Sequence, residues 1–225
     1  MQSVRIWDLP TRLFHWLLAL AVVGMVVTAN IGGNAMNLHL RLGYAVFTLL
    51  LFRLLWGLVG GHWSRFASFW PTPGRLLRYL RGDGAPELAG HNPLGALSVL
   101  AMLVVLALQV GSGLMADDEI AFAGPLMARV SGATVALASR YHTALGKYLV
   151  VGLIALHLLA IVGYALRGRK LVPPMIHGDK SMPTEATVIA TRDTAGTRLL
   201  ALVLLAVSAA VVWAIVQWAG AGALG

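Results

Sequence analysis

The chain has 225 residues, 58% of them hydrophobic and only 12% charged, and its formal net charge is +8. A soluble globular domain carries roughly 45–50% apolar and about 25% charged residues; one soluble core of this size cannot hide the excess, so the solvent of this chain is lipid. The absence of cysteine excludes disulfides, cysteine-held iron–sulfur clusters and haem attached through a C-x-x-C-H motif, and without a recognition module the basic excess reads as loop charge, with no nucleic-acid partner.

Five apolar stretches approach or reach the roughly 20 residues that cross a bilayer. In chain order they are Leu13–Ile31, His39–Gly60, Leu94–Met115, His142–Leu166 and Leu199–Trp218. They predict an all-α fold, an integral membrane helical bundle. The first is long for a signal-peptide core and no small-x-small site follows it, so it is expected to be retained. The Asn30–Leu38 connection is short, whereas Gly61–Asn92 is punctuated by Pro71, Pro73, Gly82, Gly84 and Pro86. Ala116–Tyr141 carries Asp117, Asp118 and Glu119 and is expected to hold a short surface helix around Leu126–Ser139. Its acidic run is either a docking surface for a basic partner or a solvated loop. Arg167–Arg198 starts basic, passes Pro173 and Pro174, and turns polar and Thr-rich.

The loops on one side hold twelve Lys and Arg residues: Arg5, Arg12, Arg65, Arg75, Arg78, Arg81, Arg167, Arg169, Lys170, Lys180, Arg192 and Arg198. The other side holds two, Arg129 and Arg140. Under the positive-inside rule the N-terminus is cytoplasmic, and five spans put the C-terminus outside. Trp7, Trp16, Trp56, Trp63 and Trp70 fall near the cytoplasmic interface, where amphipathic rings are favoured.

Histidines inside such spans are costly and mark functional candidates. His15 lies near the cytoplasmic start of the first span, His39 and His142 open the second and fourth on the outer side, and His157 lies further along the fourth. The fifteen residues from His142 to His157 rise about 22 Å, and their rotation leaves both imidazoles facing broadly one way. His15 therefore pairs in depth with His157, and His39 with His142. Neutral imidazole is a common metal ligand, and helix bundles build cofactor sites from facing helices. The alternative is histidines that hydrogen-bond between helices.

His39 and His142 each begin a His-x-x-x-Gly pattern that ends at Gly43 and Gly146. A glycine on the histidine's face admits a flat macrocycle or a close helix. Arg41, Arg53 and Lys147 are the basic residues within the spans. All three are candidate partners for the propionates of a haem, with snorkelling to the interface as the alternative for Arg41 and Lys147. Arg53, deeper in its helix, requires a partner for its charge. Asn92–Pro93 reads as the cap and first turn of the third span, and His91 beside it is a candidate for capping or for contacting a quinone. His62 and His177 lie in polar loops and read as surface residues.

The chain resembles the bacterial cytochrome b561 family, which includes the b-type cytochrome subunits of nickel–iron hydrogenases. The resemblance is carried by Val4-Arg5-Ile6-Trp7-Asp8 with Arg12-Leu13-Phe14-His15-Trp16, His39-x-x-x-Gly43-Tyr44, and Phe52-Arg53-Leu54-Leu55-Trp56-Gly57. It continues through Gly90-His91-Asn92-Pro93-Leu94-Gly95, the helix with His142 and His157, and Leu171-Val172 through Met175-Ile176-His177-Gly178. It implies a four-helix core with two non-covalent b haems, their irons held by residues matching His15, His39, His142 and His157. Residues 1–180 would form that core, 181–198 a polar linker, and 199–225 an added fifth helix that anchors the chain or contacts a partner.

The resulting expectation is a multi-pass protein of the bacterial inner membrane that passes electrons between the quinone pool and a c-type cytochrome or a dehydrogenase. Iron held by two histidines has no open position, which favours electron transfer over oxygen chemistry. The alternatives are a self-contained quinone oxidoreductase acting on a small molecule such as superoxide, and a haem-free proton channel or transporter. Homodimer formation is left open, as is whether the chain is itself an enzyme.

Overall fold

The computed structural model describes residues 1–82 and 89–220. Gly84 and Pro86 of the second loop, and 221–225 of the last expected segment, lie outside the described residues. The elements run β1 (Gln2–Arg5), α1 (Leu9–Ile31), α2 (Ala35–Val59), a 3₁₀ turn (His62–Ser64), α3 (Phe66–Phe69), α4 (Pro73–Arg81) and α5 (Pro93–Met115). A second 3₁₀ turn (Met127–Arg129), α6 (Gly132–Arg140), a π-helical turn (Tyr141–Gly146), α7 (Lys147–Leu166), α8 (Val172–His177), β2 (Asp179–Met182) and α9 (Ala195–Gly220) follow.

Among the described residues five helical segments are long and apolar enough to cross a membrane: α1, α2, α5, the continuous run Gly132–Leu166, and α9. They leave large apolar side chains exposed, among them Leu20, Leu58, Leu156, Leu159 and Leu202. Such surface is stable only against lipid, and helices are the open-ended structures that satisfy their own backbone there. The chain is a multi-pass membrane helical bundle.

Local chemistry sets the helix ends. α1 stops where Gly32 and Gly33 adopt positive φ (67° and 52°), conformations that cost a residue without a Cβ nothing. Thr72 caps α4, accepting from Arg75 N at 3.4 Å, with Pro73 in the first turn. Asn92 Oδ1 accepts from Gly95 N at 2.7 Å, so the expected cap of α5 is Asn92. The fourth span differs from the reading of its sequence. Ser131 Oγ accepts from Thr134 N and starts a helix at Gly132 that runs through the π turn into α7. The segment expected as a separate surface helix is therefore a 3₁₀ turn plus the first turns of the span itself, and His142 lies ten residues inside it.

The chain divides into two compact units. The first comprises Met1–His15, Arg53–Ala101 and Ala155–Leu204. Here β1 pairs antiparallel with β2, Gln2 opposite Met182 and Arg5 opposite Asp179. Asp193 accepts from Arg5 at 2.9 Å and from Arg198 at 2.9 Å, and Thr191 N donates to Arg5 O at 2.7 Å. The polar stretch after Lys180 is thus tied to the N-terminal strand. The second unit comprises Trp16–Phe52, Met102–Ile154 and Leu205–Gly225. Its core gathers Ala21, Val22, Val46, Leu50, Val110, Leu114 and Val150.

Candidate cofactor site: two histidine pairs

The structure brings the four intramembrane histidines together as two pairs, one inside each unit. The rings of His15 on α1 and His157 on α7 lie 6.4 Å apart between centroids, inclined at 53°. The rings of His39 on α2 and His142 in the π turn lie 6.1 Å apart at 90°. Metal–imidazole bonds of roughly 2 Å, with each ring centre about 1 Å behind its nitrogen, place two axial ligands of one metal roughly 6 Å apart. Both pairs fit that spacing. Among the described residues no group of three or more His, Asp or Glu side chains converges as a bare metal site would require. Two imidazoles at this spacing suit a metal that brings its equatorial ligands with it, as a porphyrin does.

The second pair carries its own orienting bonds. His39 Nδ1 lies 3.0 Å from Met25 O, and His142 Nδ1 lies 2.9 Å from Gln109 O. A carbonyl oxygen only accepts, so each Nδ1 must be the protonated nitrogen and each Nε2 keeps its lone pair for a metal. This is how ligating histidines are held in ring orientation and tautomer. A Cβ on Gly113 would stand 2.7 Å from His142 Cε1, so α5 gives the ring room by lacking a side chain there. The two pattern glycines have different surroundings. A Cβ on Gly43 would meet only Met25 Cε, at 3.8 Å, whereas one on Gly146 would collide with Gln109 Oε1 and the Tyr141 ring. Arg41 and Lys147 are both exposed, and Arg41, two residues beyond His39, faces away from it along the helix.

Arg53 is 3% exposed, with its guanidinium 4.7 Å from the Phe66 ring centroid. Its Nη1 is buried and has no hydrogen-bond partner among the described residues. In the same unit Asp8, wholly buried, accepts from Thr11 N at 2.8 Å, from Ser64 Oγ at 2.8 Å and from Trp56 Nε1 at 3.2 Å. Asp8 thereby caps α1 and joins it to α2 and the turn that follows. His91 lies between Trp7 and Phe69, with ring centroids 4.7 and 4.6 Å away. Its Nδ1 is buried without a partner among the described residues. Burial, reinforced by the charge of Arg53, lowers its pKa to about 3. His177 is exposed, and His62 is half-buried with its ring 4.8 Å from that of Trp63.

Sequence reading passes over Gln109, Ser112, Gly113 and Thr28. Gln109 did leave a signal, an amide in the middle of the apolar run Leu106-Ala107-Leu108-Gln109-Val110. The Met25 and Gln109 carbonyls left none, because every residue has one.

A membrane helical bundle that offers paired imidazoles at porphyrin spacing has the architecture of a b-type cytochrome. The chain belongs to the family described as prokaryotic cytochrome b561, which it matches over residues 6–178. It is 29% identical over 130 residues to a probable Ni/Fe-hydrogenase B-type cytochrome subunit of Azotobacter vinelandii, a match covering 46% of this chain and 54% of that one. The chain thus spans about half the length of that relative. Proteins of the same description from Cupriavidus necator and Bradyrhizobium diazoefficiens are 24% and 23% identical over 212 residues. Those matches cover 79% of this chain and 87% and 86% of the relatives. No solved structure matches.

Proposed function

We propose that the chain conducts electrons through two b haems, one held by His15 and His157 and the other by His39 and His142. The observation that carries this reading is the spacing of the two imidazole pairs, 6.4 and 6.1 Å. When bound, the haems supply one-electron chemistry, and the protein supplies ligation, burial and charge. Two histidines would hold each iron, a ligand set that would favour electron transfer over oxygen chemistry.

This chain's residues set the conditions for that relay. His39 and His142 keep Nε2 unprotonated by donating from Nδ1 to carbonyls. Gly43 leaves open space on the histidine's helix. Arg53, with a buried N–H unspent, offers a propionate a charge-assisted hydrogen bond, while exposed Arg41 and Lys147 serve as partners at the rim or snorkel to headgroups. His91, kept neutral, and its aromatic neighbours are suited to the head of a quinone.

The names of the relatives support a redox enzyme of the hydrogenase kind as protein partner; membrane quinone is the other partner in this reading, and a c-type cytochrome or another dehydrogenase is the alternative protein partner. The bias of twelve basic residues against two supports an inner-membrane protein with a cytoplasmic N-terminus and a periplasmic C-terminus. Residues 1–180 form the haem core in this reading, and α9 is the added helix reached through 181–198. Haem extraction and a reduced-minus-oxidised spectrum of the purified chain test it. Two b haems per chain are expected; a colourless preparation sinks the proposal.

A further inference from the structure

We infer that Gln109 is the positioning residue that holds His142 at the angle its iron requires. The inference rests on the haem reading above. Tyr141–Gly146 forms a π-helical turn, a feature that recurs at functional sites. Within it, His142 O accepts from Gln109 Nε2 at 2.9 Å. The main-chain carbonyl of the same Gln109 accepts from His142 Nδ1 at 2.9 Å. A single residue of α5 therefore grips both the backbone and the ring of the candidate ligand. The amide fixes the main chain from which the imidazole projects, and the carbonyl fixes the ring itself.

Two glycines make the grip sterically feasible. Gly146 ends the π turn at the spot where a Cβ would strike Gln109 Oε1 and Tyr141, so its bareness is what admits the amide. Gly113, one turn along α5 from Gln109, clears the space occupied by the His142 ring. Ser112 Oγ donates to Gln109 O at 3.0 Å, which fixes the direction of the carbonyl that receives the imidazole. Across the site, His39 is fixed independently by Met25 O. The perpendicular setting of the two rings, 90°, is thus imposed by two carbonyls and one amide. The mutual angle of axial imidazole planes splits the iron d-orbitals, so it is read directly by the ferric low-spin EPR spectrum.

The experiment uses the haem-loaded, full-length protein in detergent, as wild type, Gln109→Met and Gln109→Ala, with Gly146→Ala as a variant that keeps the amide but displaces it. Met matches Gln in length and is neutral, but has no N–H to donate. The signal of the His39–His142 haem is identified as the one missing from a His39→Ala protein. In all three variants that signal is expected to lose anisotropy, and its haem to dissociate about ten- to a hundred-fold more readily. The signal of the His15–His157 haem should be unchanged, which also reports that the variants have folded. A wild-type signal in both Gln109 variants overturns the inference. Loss of both haem signals together also overturns it, by showing a general structural role. A wild-type protein without haem overturns the haem reading and this inference with it.

Discussion

The unit that holds His15 and His157 carries buried charge, whereas the groups beside His39 and His142 are neutral hydrogen-bonding groups. In the first unit Asp8 and Arg53 are 0% and 3% exposed, and Arg5, Arg198 and Asp193 tie the N-terminal strand to the polar stretch before α9. In the second, the groups around the imidazoles are Gln109, Ser112, Thr28 and backbone carbonyls, set in an apolar core. Charge tunes an iron's potential through space, while neutral bonds fix ligand geometry at contact. In the proposed two-haem reading the two means of control would fall in different units, and the units should respond differently to the same kind of substitution.

The largest expected effect is loss of a haem. Replacing His157 with Ala should remove one b haem and leave the other, and replacing His39 with Ala should remove the complementary one. Extracted haem per chain and the reduced spectrum measure this; a His39→Ala protein that keeps both haems would break the pairing. Next in size is Asp8→Ala, which strands three hydrogen-bond donors in the interior. It should cost roughly 2–4 kcal/mol, seen as a lower thermal midpoint in detergent. Among the described residues the bonds that Asp8 makes lie within the first unit, so heating should release the His15–His157 haem before its counterpart. Simultaneous release would show that the units are not separable in this way.

Arg53→Gln tests the electrostatic half of the comparison. Removing a buried positive charge should lower the midpoint potential of the His15–His157 haem by roughly 60 mV, a tenfold change in a one-electron equilibrium. The other haem should keep its potential. Equal shifts in both, or none, would take Arg53 out of the propionate environment.

Those tests follow how much the sequence disclosed. The five spans were legible because lipid demands long unbroken apolar runs, and the histidine pairs because ionisable residues in such runs stand out. The extended start of the fourth span was not, since Gly132–Arg140 is polar enough to read as a separate surface helix. The β1–β2 pairing was hidden for another reason: it joins residues 2–5 to 179–182, and four-residue strands have no periodicity to read. At the site, the histidines that pair could be named, whereas the carbonyls beside their rings could not. Gly146 was noticed for its spacing, but its relation to Gln109 depends on a neighbouring helix.

The smallest expected effect concerns His91, which lies just before α5. Its folded-state pKa of about 3 is below the ordinary 6.5 because burial, and then the charge of Arg53, disfavour the imidazolium. Between those two values the unfolded chain binds a proton that the folded one does not, so stability rises with pH across the interval. The contribution is complete above about 6.5 and fades as pH falls towards about 3. His91→Phe keeps an aromatic ring between Trp7 and Phe69 but cannot titrate. Its thermal midpoint should therefore fall less steeply on acidification than that of the wild type, and the difference should open as pH falls below about 6.5. Parallel midpoint-versus-pH curves for the two proteins would mean that His91 has the same proton affinity folded and unfolded. They would also remove the buried, neutral imidazole on which its suitability for a quinone rests.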